Sequence, residues 1–188
     1  MPRKTPPAPR GQAQILVAAA EAAARWFRHP EPAALSAART ARLRSRGLRE
    51  REVAVLRGAS GPVSNDAADF FFALREAVEH AVSSVSDATQ WGLGEDADFA
   101  AMADSLTAGA KALARAAAAS GAARAAALDE AKRWAADVER RRRALIDGAR
   151  KSPHFVEAVK RSEVASRFSS AAEGLQQACD ALAGSLAE

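Results

Sequence analysis

The chain of 188 residues carries a formal charge of +4 and a single cysteine, Cys179. That length suits one domain, or two small sub-bundles sharing a core, and a lone cysteine excludes an internal disulfide framework and fits a reducing compartment. Tyr is absent, Phe and Trp are few, and alanine supplies much of the apolar count, a composition that favours close helix–helix contact.

Residues 1–10 hold four prolines and three basic residues. Proline at this density cannot form a helix interior, so a disordered basic tail is expected there, with a single helical-bundle domain over 11–188. No apolar core follows the basic N-terminus, so no secretory signal is read. The most apolar early run, 15–24, contains Glu21 and falls far short of the ~20 residues of a membrane span.

A first helix is predicted over 12–28, with Ile15, Leu16, Ala19, Ala22, Ala23, Trp26 and Phe27 in one stripe. His29-Pro30-Glu31-Pro32 ends it, because a residue before proline leaves helical space. A second helix spans 33–57, with Leu35, Ala38, Leu43, Leu48, Val53 and Leu56 as a weaker stripe and Gly47 as a candidate kink. A turn at 58–62 leads to a third helix, capped by Ser64 or Asn65 and buried through Phe71, Leu74, Val78, Val82 and Val85. Gly92-Leu93-Gly94 forms its exit.

The fourth helix, 95–119, buries Phe99, Met102, Leu106, Ala110 and Leu113. Ser120-Gly121 is a short antiparallel connection. The fifth buries Leu128, Ala131, Trp134, Val138 and Leu145. After a break at 152–153, the sixth buries Val164, Phe168, Ala171, Leu175, Leu182 and Leu186. No segment alternates with period two. The expectation is an all-α, six-helix antiparallel bundle of two three-helix halves, about 11–91 and 95–188.

The charge is uneven: residues 1–62 carry twelve Lys/Arg against four Asp/Glu, a balance of +8, and the remainder fifteen against nineteen, −4. The arginines of the second helix, Arg39, Arg42, Arg44, Arg46, Arg49 and Arg51, are the candidate contacts to an anion or anionic surface. The alternative is a solvated arginine-rich helix. Arg140-Arg141-Arg142-Arg143 span most of a helix circumference, so they cannot share one ligand. Asp137 reaches Arg141 and Glu139 reaches Arg143 at i,i+4, which favours a solvated, locally paired face over an anion site.

Enzyme chemistry is not indicated. Gly92-Leu93-Gly94 is followed by acids rather than a lysine, which suits a helix end and not a phosphate cradle. His29, His80 and His154 lie on different segments without ligand spacing. Cys179 reads as packing, and no G-x-S-x-G elbow occurs. Phe70, Phe71 and Phe72 read as core plus one exposed ring. No cofactor is expected.

Residues 133–180 carry a resemblance. Val159-Lys160-Arg161-Ser162-Glu163-Val164 presents a Lys-x-x-Glu pair, Lys160 and Glu163, between apolar neighbours, and Arg143-Ala144-Leu145 precedes it. This resembles the last two helices of PhoU-like phosphate-transport regulators, in the small branch that accompanies inorganic phosphate transporters. The family's three-helix halves each carry a Glu-x-x-x-Asp motif on the middle helix, facing acids on the next, and the carboxylates can gather a metal cluster. Here the four second-half positions fall on Arg133, Asp137, Ser169 and Glu173. In the first half the middle-helix acids fall at Ala41 and Ser45, with Glu76 and Glu79 nearest on the third helix. The resemblance implies a cytoplasmic, non-enzymatic regulator, a homodimer meeting the cytosolic face of a transporter. The half-emptied motif implies that metal is lost, with the Arg133 guanidinium beside Asp137 and Glu173 in its place. The competing readings are a basic helical adaptor that binds nucleic acid or an anionic surface through 1–62, which lacks a groove-reading motif, and an alanine-rich coat for an apolar surface.

Overall fold

The computed structural model describes residues 9–58, 63–150 and 153–184. Six helices follow one another: α1 Pro9–Arg28, α2 Pro32–Gly58, α3 Val63–Trp91, α4 Ala97–Ala116, α5 Gly121–Ala149 and α6 Phe155–Gly184. Among the described residues there is no strand. Among the described residues no helix is long and apolar enough to cross a membrane.

The helix ends follow from local chemistry. Pro9 and Pro32 open α1 and α2, the position where a missing N–H and a fixed φ suit a helix start. α1 therefore begins inside the segment expected as tail; the rest of that segment lies outside the described residues. Gly92 closes α3 with φ +71°. Its N–H donates to the Thr89 carbonyl at 3.3 Å, and that of Leu93 to the Ala88 carbonyl at 2.9 Å, the paired bonds of a glycine-terminated helix. Asp96 caps α4 by accepting from the Asp98 and Phe99 amides at 3.0 and 3.1 Å. One expectation changes. α3 starts at Val63, so Ser64 and Asn65 fall inside the helix rather than before it, while Gly47 lies within α2 as expected. The expected turn at 59–62 lies outside the described residues.

The two halves repeat in size: helices of 20, 27 and 29 residues, then 20, 29 and 30. They join like to like. First helix packs on first (α1 on α4) and third on third (α3 on α6), while the middle helices α2 and α5 cover the outer sides of their own halves. The core thus lies among α1, α3, α4 and α6. At one end Phe27, Phe99 and Phe168, all fully buried, meet with ring centroids 5.0, 5.7 and 6.4 Å apart.

Small residues let the helices approach. A Cβ on Gly174 of α6 would lie 2.9 Å from the Ala73 carbonyl oxygen and 3.0 Å from the Ala77 nitrogen of α3. One on Gly109 of α4 would lie 2.6 Å from Leu175 Cδ2 and 3.2 Å from Trp134 Cβ. The stripes of α1, α3, α4 and α6 are buried as their periodicity predicts, with Ile15 partly exposed and Leu186 outside the described residues. α2 and α5 differ. Leu43 is 60% exposed and Trp134 37%, because α2 turns a face of small residues inward: Ala34, Ala38, Ala41 and Ser45, with Leu48.

Candidate functional site

α5 carries two carboxylates two residues apart, which therefore leave the helix in nearly opposite directions. Asp137 points toward α4 and is buried. It accepts hydrogen bonds from Ser105 Oγ at 2.6 Å and Arg141 Nε at 2.7 Å, and it pairs with Arg140. Burial pushes its carboxyl up. The Ser105 and Arg141 bonds and the charges of Arg141 and Arg140 outweigh that and hold it below the ordinary value.

Glu139 points toward α6. Arg142 grips it through Nε and Nη2, both at 2.8 Å, with Arg143 Nε at 3.0 Å and Ser169 Oγ of α6 at 2.7 Å. The Arg142 hydrogen bonds are the main cause of a carboxyl pulled down to about 2. Burial opposes them, and Ser169 and Arg143 assist. The four-arginine run thus resolves into two clamps, Arg140 and Arg141 on Asp137, Arg142 and Arg143 on Glu139. The i,i+4 pairings expected from the sequence are present within them.

The first half repeats the chemistry with the roles exchanged between helices. Glu79 of α3 accepts from Arg42 Nε of α2 at 2.7 Å. The Ser45 hydroxyl lies 2.8 Å from the Arg42 carbonyl oxygen and 3.2 Å from Glu79 Oε1, and Arg42 Nη2 donates to Ser83 at 3.2 Å. In each half, then, middle and third helices are joined by a glutamate held between an arginine and a serine. Ser45 and Ser169, which stand at positions where the resemblance expects acids, are the two serines.

Arg133 does not serve as the guanidinium of this site. It is exposed, and neither it nor Glu173 has an ion-pair partner among the described residues. The cause is direction: helix side chains lean toward the N-terminus. Arginines three and four residues after Asp137 reach back to it, whereas Arg133, four residues before, leans away. Glu76 pairs with Arg75 at 2.9 Å. Ala41 is buried without a polar atom to offer.

These residues do not fit a metal cluster of the kind found in the family that the chain resembles. Asp137 and Glu139 already have arginine and serine partners, and among the described residues no three His, Cys, Asp or Glu side chains gather as a metal site needs. Cys179 is buried, and burial pushes its thiol up to about 12. That is inert packing, not a nucleophile.

Lys160 donates to the Trp91 carbonyl at 3.2 Å, closing the C-terminus of α3. Glu163 is exposed. Of the candidate surface arginines, Arg39, Arg44 and Arg46 are exposed. Arg42 is not available to a ligand, being committed to Glu79 and Ser83. The side chains of Arg49 and Arg51 lie outside the described residues.

One feature escaped the sequence reading. Phe155, Val156 and Val159, 77%, 67% and 45% exposed, form an apolar patch at the start of α6. Beside it a groove of about 650 Å³ runs along Trp91, Gly92 and Leu93. The signal was there: these three residues are out of phase with the Val164–Phe168 stripe of the same helix. Neither a protein-family model nor a curated protein matches this sequence.

Proposed function

We propose that this protein is a non-enzymatic accessory protein resembling the PhoU-like regulators of inorganic phosphate transport. It acts in the cytoplasm by protein–protein contact at the cytosolic face of a transporter, as a homodimer. The observation that carries this reading is the repeated three-helix half, with matching helix lengths and like-to-like packing of first and third helices. Two further features support it. The serine–glutamate–arginine clusters join middle to third helix in each half, and they are engaged with one another, as suits a fixed scaffold. The patch of Phe155, Val156 and Val159 offers an apolar contact surface of the kind that marks interaction sites.

The test is affinity capture from detergent-solubilised membranes of the source cell, with mass spectrometry of what is retained. An inorganic phosphate transporter held by the wild-type chain and lost with Phe155→Glu/Val159→Glu is the expected result. Retention of no phosphate transporter would sink the reading. So would one held equally by the double variant, as far as the contact surface is concerned.

A further inference from the structure

Of the six described helices α2 carries the largest net positive charge, seven arginines against Glu50 and Glu52 in 27 residues. It is an outer helix, and among the described residues its main packing is on α1 and α3 of its own half. Ala34, Ala38, Ala41, Ser45 and Leu48 face the bundle. At 100° per residue, Leu43 stands half a turn from the mean direction of those five, and its side chain is 60% exposed. Arg39 and Arg46, one turn to either side of it, share the outward face. Arg44 stands 100° round from Leu43 on the side away from Arg39 and Arg46, and Glu50 is an exposed acid on the outward face. Arg39, Arg44 and Arg46 are exposed and have no ion-pair partner among the described residues, whereas Arg42, on the inner flank, is spent on Glu79.

We propose that this outward face of α2 docks on an anionic lipid bilayer, with Arg39, Arg44 and Arg46 on headgroup phosphates and Leu43 entering between them. Guanidinium groups pair with phosphate through two parallel N–H donors, which an ammonium cannot do. A basic face near an anionic leaflet gains from every added charge. Leu43 selects lipid over nucleic acid. An isobutyl side chain at the centre of the face gains nothing from a phosphodiester backbone but removes itself from water at the acyl boundary. α2 also contains no aromatic ring on which bases could stack.

The proposal does not depend on the transporter reading, because it is tested without any protein partner. Full-length protein is sedimented with vesicles of phosphatidylglycerol mixed into phosphatidylcholine, and with phosphatidylcholine alone. Binding to the mixed vesicles only, weakening as salt is raised, is expected. Arg39→Gln/Arg44→Gln/Arg46→Gln should weaken it roughly a hundredfold, about a factor of five for each charge, and Leu43→Gln several-fold. The control removes the same number of exposed charges from the second half, outside the two clamps: Arg115→Gln/Arg133→Gln/Arg150→Gln keeps the affinity. Equal loss in both triple variants means bulk charge and overturns the proposal. So does binding to phosphatidylcholine alone, or tighter retention on duplex DNA than on vesicles with Leu43→Gln without effect. Circular dichroism of each variant identifies any loss that comes from unfolding. If the α2 triple variant unfolds, Leu43→Gln with Arg46→Gln decides by the same readout.

Discussion

Glu139 accepts four hydrogen bonds from three side chains on two helices, and its carboxyl is pulled from 4.5 in the free group to about 2. A depressed carboxyl contributes stability that is complete above the unfolded value and is lost as pH falls toward the folded one. Chemical denaturation of the wild type should therefore lose stability between about pH 4.5 and about 2. Glu139→Gln should start less stable at neutral pH and show a shallower loss over that window. Parallel curves would mean that the carboxylate contributes nothing there. Metal analysis of protein purified without chelator should find no near-stoichiometric iron, manganese or zinc. Metal lowered by Asp137→Ala would show that the arginine clamps have been misjudged. The local halves of this site were legible in the chain, since Asp137 with Arg141 and Glu139 with Arg143 follow from helical spacing alone. Ser105 and Ser169 were not. They reach Asp137 and Glu139 from other helices, and periodicity says which way a side chain faces but not what it meets.

At the scale of the helix, Gly109, Gly174 and Leu175 set the contacts. Leu175 is fully buried, with its methyl group over Gly109, so Leu175→Ala should cost about 2–5 kcal/mol. Gly174→Ala forces its new methyl against the α3 backbone and should cost about 1–3 kcal/mol. Gly109→Ala meets chiefly the tip of Leu175, which Leu175→Ala removes. The double variant should therefore be less destabilised than the two single losses together, a non-additivity readable by urea denaturation. Strict additivity would mean that Ala131 and Trp134, not Leu175, resist the added methyl. The sequence shows where these helices start and stop because proline, glycine and the apolar stripes mark them locally. Leu43 was misassigned for a physical reason. The inward face of α2 is built from alanine and serine, and a search for large apolar residues passes over it.

For the whole molecule, the like-to-like joining of halves makes each half incomplete. α1 and α4 are also bridged by Glu21 with Lys111 at 2.8 Å and by Arg28 with Asp104, and α3 and α6 by Asp87 with Arg167 at 2.9 Å. Exposed pairs of this kind contribute little individually, about 0–1 kcal/mol. Their service is to fix the register of apolar faces that carry the energy. The full chain should unfold in one cooperative transition by both circular dichroism and tryptophan fluorescence. A fragment spanning 95–184 should show no cooperative transition, because its α4 and α6 faces have lost α1 and α3. A sharp transition in that fragment would mean that the halves are independent. The six-helix count and the absence of strands among the described residues could be read from the chain. The pairing of first with first and third with third could not, since one helix stripe carries no label naming its partner.

That pairing also governs how the chain must be born. α6 leaves the ribosome after the five helices that precede it, and it supplies the covering of α3 and one of the three rings of the phenylalanine cluster. At roughly 5–20 residues per second, the nascent first half waits for several seconds with the inner faces of α1 and α3 bare. A chain cut short before Phe168 should therefore leave those apolar faces uncovered and be more prone to aggregate than the full chain.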